Sequence, residues 1–180
     1  MTNNSVIKEI GEDIKKGLIG VIPTDTIYGI VCSVMNKKSV EKLYKVRKRD
    51  LKKPMIVLIS SIKDLNLFDV KIDKKITDKY WPGKTSIILP IEKFKYLHRG
   101  KDSLAFRLPN NKDLIKVLKI SGPIVAPSAN IEGKKPAQTI DEAFNYFQDK
   151  IDFYVDCGKL KSKPSKIISI VNNKVEIIRK

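Results

Sequence analysis

The chain has 180 residues, 42% of them hydrophobic, which is enough for one globular domain over residues 1–180 with a core of its own. No apolar run reaches the ~20 residues of a membrane helix, and the N-terminus lacks the basic and apolar segments of a secretion signal, so we expect a cytoplasmic protein with no membrane contact. The 36 basic and 20 acidic residues give a formal net charge of +16, which favours a polyanionic partner such as RNA or a nucleotide.

The arginines carry more information than the lysines. The sequence is rich in Lys, Ile and Asn together, a bias that AT-rich codon usage produces without selection for binding. Arginine binds phosphate or carboxylate through two parallel hydrogen bonds, which lysine cannot do. The arginines are Arg47, Arg49, Arg99, Arg107 and Arg179. We therefore expect several of them to bind a specific oxyanion.

Strands alternate with helices along the first half of the chain. Ser5 is the expected cap of an amphipathic helix that Gly17 ends, because isoleucines recur between them at helical spacing. Ser39 begins a second helix, which ends in a basic run at residues 47–49. Strands are predicted at residues 18–22, 27–34 and 55–59.

The second half continues this pattern and ends in a hairpin. Strands are predicted at residues 86–89, 103–108, 123–126, 151–155, 166–171 and 175–178, and helices at residues 73–80 and 111–120. Thr139 caps a further helix, and Asn172 and Asn173 form the turn of the final hairpin. The alternation predicts an α/β domain with a mixed sheet.

The segment Pro23-Thr24-Asp25-Thr26-Ile27-Tyr28-Gly29 places three small polar side chains directly after a buried strand. Loops at strand ends are where α/β proteins bind ligands, and hydroxyl groups there orient polar substrates. Gly29 allows a close approach of the backbone. A turn that satisfies its own backbone groups uses the same residues, so both interpretations stay open for this segment.

Five cations lie within residues 47–53, at the end of the second helix, and Pro54 follows them. Two cations suffice to complement the negative end of a helix, so the excess favours a triphosphate. A solvated face or an RNA contact is the alternative for this run.

Two further sites combine polar groups with a buried strand. Ser128 and Asn130 follow the strand at residues 123–126, where they can bind a substrate or form a turn. Arg107 lies within an apparently buried strand, where an unpaired guanidinium is costly. It must therefore meet either an internal acid or an anionic ligand.

Four other residues are assigned structural or surface positions. Cys32 and Cys157 are predicted to be small buried thiols, since neither has a metal-ligand neighbour. Trp81 is predicted to fill the core beside the turn at residues 82–83. His98, the single histidine, is predicted to lie at the surface.

Taken together, these segments resemble the YrdC family of threonylcarbamoyl-AMP synthases. The family pattern runs PT-[DE]-T-x-YG, K-x-R-x-x-x-KP, WPGxxT, VAVR, PSAN-x-SG and ST-I. The chain has PTDTIYG at 23–29, RKRDLKKP at 47–54, WPGKTS at 81–86, LAFR at 104–107, PSANIEG at 127–133 and PSKII at 164–168. Each block is weak alone, but six in order cover nearly the whole chain.

The resemblance implies a single twisted mixed sheet with a concave, basic cavity, and it assigns eleven residues to substrates. The residues implied for L-threonine are Thr24, Arg107, Ser128 and Ser165. Those implied for ATP are Arg47, Arg49, Lys53, Ser103, Asn130, Thr139 and Arg179. Magnesium is implied with the nucleotide, and no catalytic base stands out.

Four positions depart from the family pattern. Arg47 replaces the usual lysine, and Leu58 stands where some members have a histidine near threonine. Glu132 replaces a serine, and Lys166 replaces a threonine. Long members of the family carry an extra C-terminal domain, and we expect this chain to be of the short, single-domain form.

The implied activity joins L-threonine, bicarbonate and ATP into threonylcarbamoyl-AMP and pyrophosphate. A downstream transferase complex then modifies the transfer RNA adenosine next to the anticodon. The alternative is a protein of ribosome maturation that binds double-stranded RNA or transfer RNA without chemistry, which the charge favours but the polar strand ends do not. A third hypothesis is the related domain of hydrogenase maturation factors, whose additional domains the chain lacks.

Overall fold

The computed structural model describes residues 3–171 and 174–180, and within these it has six α-helices. The helices are Asn4–Lys16 (α1), Lys37–Arg47 (α2), Lys74–Tyr80 (α3), Lys95–His98 (α4), Lys112–Ser121 (α5) and Ile140–Phe147 (α6). Two 3₁₀ helices span Ile62–Phe68 and Gln148–Lys150. In this part of the chain, no helix has both the length and the apolar character needed to span a bilayer.

Nine strands of the described residues form one mixed sheet. They are Gly20–Pro23 (β1), Tyr28–Ser33 (β2), Val57–Leu58 (β3), Thr85–Pro90 (β4), Ser103–Arg107 (β5), Ile124–Val125 (β6), Phe153–Tyr154 (β7), Lys166–Val171 (β8) and Lys174–Arg179 (β9). Their order across the sheet is β7-β1-β2-β6-β3-β5-β4-β8-β9. The pairs β1–β7, β3–β5 and β4–β8 are parallel and the other five are antiparallel. The predicted mixed α/β sheet is confirmed, while the predicted turn at residues 172–173 lies outside the described residues.

Both faces of the sheet are buried at β2, which explains why this strand is apolar without alternation. Helices α1 and α5 cover one face, where Ile7, Ile14 and Leu114 pack on Val31 and Leu58. The larger core on the other face includes the aromatic side chains of Tyr28, Tyr44, Phe68, Trp81, Phe106 and Phe147. The prediction that Trp81 fills the core is therefore confirmed.

Two predicted helix starts are wrong by a few residues. Asn3 caps α1 by accepting a hydrogen bond from the Ser5 backbone N–H at 3.0 Å, and Asn36 caps α2 in the same way through Ser39 at 3.1 Å. Asparagine and serine are equally good caps, so the sequence pattern does not choose between neighbouring candidates. Gly17 ends α1 in the left-handed conformation, as predicted.

Two predictions of burial are also wrong. His98 is only 2% exposed, because the short helix α4 turns it inward, where its Nδ1 accepts a hydrogen bond from the Asp102 backbone at 3.2 Å. Cys157 is exposed, since it lies in the irregular segment after β7. Cys32 is buried as predicted, and this burial raises the pKa of its thiol.

Candidate active site

A cavity of about 520 Å³ opens where the ends of several strands converge. Among the described residues that line it, five are basic and none is acidic, and five carry hydroxyl groups on Ser or Thr. The basic residues are Arg47, Arg49, Lys101, Arg107 and Arg179, and the hydroxyl residues are Thr24, Thr26, Ser103, Ser128 and Ser165. The remaining wall is largely apolar, which is the usual composition of a small-molecule site.

A close backbone contact joins two segments that are about a hundred residues apart in the sequence. Gly29 forms an antiparallel bridge with Ser128, and the N–H of Ala129 donates to the carbonyl of Tyr28 at 2.9 Å. A Cβ atom at position 29 would lie 3.1 Å from Cγ2 of Thr24, tighter than most Cβ contacts. The glycine therefore lets the 23–29 turn fold tightly on Thr24, while the backbone bridge to Ser128 brings the 127–130 segment alongside it at the cavity.

Thr24 stabilises the turn that contains it and also lines the cavity. Its hydroxyl donates to the Ile27 carbonyl at 2.7 Å and lies 3.0 Å from the hydroxyl of Thr26. Thr24 is 7% exposed and still lines the cavity. The turn interpretation of this segment holds in the structure, and a ligand contact remains available to the same side chain.

Arg47 is buried at the end of α2 and held by the 127–130 segment. Its Nε donates to the Asn130 carbonyl at 3.1 Å, and Nη2 donates to Asn130 Oδ1 at 3.1 Å. Ser128 donates to the same Oδ1 at 2.6 Å, so the amide orients both side chains. Burial, and next the charge of Arg49, lower the pKa of Arg47. Its Nη1 is buried without a hydrogen-bond partner among the described residues.

Arg107 forms an ion pair with an internal acid, Asp25. Of the two partners that the sequence left open, an acid or an anionic ligand, the structure shows the acid. Its Nη2 lies 3.0 Å from Oδ1 of Asp25, and the two side chains are 4% and 3% exposed. Burial lowers the pKa of Arg107, while Asp25 opposes that shift. Arg107 also lines the cavity, whereas Asp25 is not in contact with it. The carboxylate thus fixes an arginine of the cavity wall, whose Nε is buried without a partner among the described residues.

Arg179 lies in the cavity wall, where it holds Ser165. Its Nε and Nη2 both donate to the Ser165 carbonyl, at 3.0 and 2.7 Å, and Nη2 also reaches the Ser165 hydroxyl at 3.2 Å. The Ser165 hydroxyl lies 3.0 Å from that of Ser86 on β4. The pairing of β9 with β8 therefore places a residue next to the C-terminus in the cavity wall.

Comparison with known proteins identifies the family. The Sua5/YciO/YrdC family, described as telomere recombination, matches residues 12–180. The chain belongs to this family. It is 35% identical to a Methanocaldococcus jannaschii protein provisionally named threonylcarbamoyl-AMP synthase (97% of this chain, 84% of that protein). It is 32% identical to the threonylcarbamoyl-AMP synthase of Buchnera aphidicola from Acyrthosiphon pisum (85% and 92%).

Solved structures of the Sua5/YciO/YrdC family share the fold. Pyrococcus abyssi Sua5 complexed with L-threonine superposes with a TM-score of 0.90 at 25% identity, covering 98% of this chain and 54% of Sua5. Escherichia coli YciO gives a TM-score of 0.87 at 20% identity, covering 99% and 90%. The resemblance found in the sequence and the predicted fold class are both confirmed, and the names of the relatives support an enzyme that makes threonylcarbamoyl-AMP.

Eight of the eleven residues assigned through the family pattern line the cavity. They are Thr24, Arg47, Arg49, Ser103, Arg107, Ser128, Ser165 and Arg179. The structure brings these side chains together from six segments of the chain, but their contacts with substrates stay predictions.

The other three assigned residues have structural partners outside the lining. Asn130 holds Arg47 and Ser128 and donates to the Lys134 carbonyl at 2.8 Å. Thr139 caps α6, as predicted, by accepting from the Glu142 N–H at 3.2 Å. Lys53 bonds to Glu132 at 3.0 Å.

Sequence patterns did not indicate every residue of the site. Lys101 lines the cavity from the turn before β5, without belonging to any motif. Asp25 lies within the 23–29 motif, but its ion pair with Arg107 connects two distant segments. The apolar run before Arg107, which predicts burial, was the only signal that an internal partner exists.

The positions that depart from the family pattern have different surroundings. Leu58 is fully buried in the core beneath α1 and α5, away from the cavity lining. Lys166 begins β8, where its N–H donates to the Lys84 carbonyl at 2.9 Å. Glu132 lies beside the basic loop that follows α2.

Proposed function

We infer that the protein is an L-threonylcarbamoyladenylate synthase, which converts L-threonine, bicarbonate and ATP into threonylcarbamoyl-AMP and pyrophosphate. The observation that carries this inference is one cavity in which four arginines and four hydroxyl residues of the family pattern converge. Such a set suits two small anions held beside a triphosphate.

The threonine end of the cavity lies around Arg107. This arginine is held by Asp25 and presents its remaining donors to the threonine carboxylate, as planar guanidinium groups do. Ser128 is fixed by Asn130, and Thr24 and Ser165 lie in the same wall. These hydroxyl groups are placed to bind the carboxylate and the side-chain hydroxyl of threonine.

The nucleotide end lies around Arg47, Arg49 and Arg179. Three cations in an enclosed wall offset the charge of the triphosphate and stabilise the charge that develops on pyrophosphate as it leaves. The family pattern assigns four further residues to ATP, namely Lys53, Ser103, Asn130 and Thr139. Magnesium enters as a partner of ATP, bound by its phosphate oxygens.

The reaction depends more on how the protein positions threonine and ATP than on a side chain that acts as a general base. The threonine nitrogen adds to CO₂ derived from bicarbonate and forms a carbamate, with loss of the ammonium proton. A carbamate oxygen then attacks the α-phosphorus of ATP, and the bond to pyrophosphate breaks. Holding the two reactants in line accounts for much of the rate gain in such reactions.

The product is a mixed anhydride that water destroys, so a transferase must consume it. We propose that a downstream transferase complex uses this product, in the cytoplasm, to modify the adenosine next to the anticodon of transfer RNA. The net charge of +16 provides weak attraction to double-stranded RNA or transfer RNA, but the relatives give no support to a purely RNA-binding protein.

Pyrophosphate release tests the proposed function. The reaction contains ATP and magnesium, with L-threonine and bicarbonate added singly and together, and the adenylate is identified by mass spectrometry. We expect pyrophosphate and adenylate only when both are present. Equal ATP turnover without threonine would contradict the proposal.

A further inference from the structure

Glu132 joins the basic loop after α2 to the segment after Ser128. Its Oε2 accepts a hydrogen bond from the Asp50 N–H at 2.6 Å, and its Oε1 lies 3.0 Å from Lys53 Nζ and 3.9 Å from Arg49 Nη1. Its backbone N–H donates to the Arg47 carbonyl at 2.9 Å. The carboxylate is thus held by three groups, and the backbone of Glu132 is held by a fourth.

Two of the three partners of the carboxylate, Arg49 and Lys53, are cations assigned to the triphosphate. Arg49 lines the cavity, and its guanidinium also donates to the carbonyls of Lys53 and Pro54, at 3.0 and 2.9 Å. Lys53 turns away from the cavity lining to reach Glu132. The hydrogen bond from Asp50, followed by that from Lys53, lowers the pKa of Glu132, so it is an anion at neutral pH. The family pattern has an uncharged serine at this position.

We propose that Glu132 is a specificity-determining residue, whose charge makes the phosphate-binding cations favour magnesium-bound ATP over metal-free ATP. The inference rests on the proposed function, since it places the triphosphate at Arg49 and Lys53. It adds a role for a residue that the family pattern leaves as serine.

The charge of the nucleotide provides the physical reason. Metal-free ATP carries about four negative charges and its magnesium complex about two. The repulsion between a fixed carboxylate and a ligand scales with the charge of the ligand, so Glu132 weakens the binding of the metal-free form more strongly. Glu132 is 26% exposed, so solvent reduces this repulsion without removing it.

Replacing Glu132 by Gln isolates the charge. Glutamine keeps an oxygen that can accept from the Asp50 N–H, so the loop keeps its main tether. The control is Glu9→Gln, which removes the same charge from an exposed position of α1. A second variant, Glu132→Ser, restores the residue of the family pattern and serves if the Gln variant folds poorly.

The dissociation constants of ATP are measured by calorimetry, with excess magnesium or with chelator, at low and equal ionic strength. In Glu132→Gln we expect metal-free ATP to bind about four- to tenfold tighter and magnesium-bound ATP about two- to threefold tighter. The preference for the magnesium complex then falls about two- to threefold, and Glu9→Gln leaves it unchanged.

Two outcomes would overturn the proposal. If both constants change by the same factor, Glu132 acts through the loop structure and not through its charge. If neither constant changes, the carboxylate does not face the bound phosphates. A wild-type protein that binds neither form of ATP would instead overturn the proposed function.

Discussion

Arg179 donates two hydrogen bonds to the carbonyl oxygen of Ser165, from Nη2 at 2.7 Å and from Nε at 3.0 Å. A residue one position from the end of the chain therefore fixes the segment that enters β8. The hydroxyl of Ser165 also lies 3.0 Å from that of Ser86 on β4. Ser165 is therefore held in the cavity wall from two neighbouring strands, by Arg179 on β9 and by Ser86 on β4.

Replacing Arg179 by Ala should weaken ATP binding about ten- to a hundredfold, because one arginine–phosphate contact is lost. The melting temperature should fall by only a few degrees, since the lost hydrogen bonds to Ser165 contribute about 1 kcal/mol. Arg179→Lys should recover part of the affinity, because it keeps the charge without the fork. Calorimetry with ATP checks both variants, and an unchanged affinity in Arg179→Ala would exclude a phosphate contact.

Variants of the Asp25–Arg107 ion pair distinguish the effect of Arg107 on stability from its effect on threonine binding. Arg107→Ala should lower the free energy of unfolding by about 3–5 kcal/mol, because it leaves Asp25 buried without a partner. The double variant Asp25→Asn, Arg107→Ala should regain part of that stability but none of the threonine use. Denaturant titration and the threonine KM provide the two readouts. Normal threonine use in a folded double variant would remove Arg107 from the site.

Local patterns predicted the nine strands and five of the six α-helices of the described residues but missed α4 and the two 3₁₀ helices, and contacts between distant segments account for most of the other omissions. The motif at 23–29 and the motif at 127–130 were both recognisable, because polar residues follow apolar strands. Their contact through Gly29 and Ser128 depends on β2 pairing with β6, which no local pattern encodes. The partner of Arg107 was hidden for the same reason. His98 was assigned to the surface because its neighbours are polar, but α4 folds it inward.

Asn130 is expected to act through its neighbours. Asn130→Ala removes the amide that holds Arg47 and Ser128, so both substrates should bind about tenfold more weakly. Stability should fall by about 1–3 kcal/mol, because the buried Arg47 loses an acceptor and the Lys134 and Ile131 carbonyls lose their donor. Ser128→Ala is the comparison, and it should affect threonine alone. Titrations with each substrate distinguish the two variants, and equal effects on threonine and ATP from Ser128→Ala would contradict this division.

The hydroxyl of the buried Tyr28 anchors the connection between β7 and β8. It accepts a hydrogen bond from the Cys157 N–H at 2.9 Å and donates to the Gly158 carbonyl at 2.8 Å. The connecting segment, residues 155–165, runs from one edge of the sheet to the second strand from the other edge and ends at Ser165 in the cavity wall. Loss of the anchor should therefore loosen the segment that carries a threonine-binding residue.

Tyr28→Phe removes these hydrogen bonds and keeps the ring in the core, so the cost in stability should be about 1 kcal/mol. Trypsin should cut the variant faster after Lys159 and Lys161, which are exposed, while Lys163 precedes a proline and resists cleavage. The threonine KM should rise together with the cleavage rate. Tyr96→Phe is the matched control, because its hydroxyl donates to the Val34 carbonyl away from this segment. It should cost similar stability without changing cleavage at these lysines, and equal cleavage of the two variants would show that Tyr28 does not hold the connection in place.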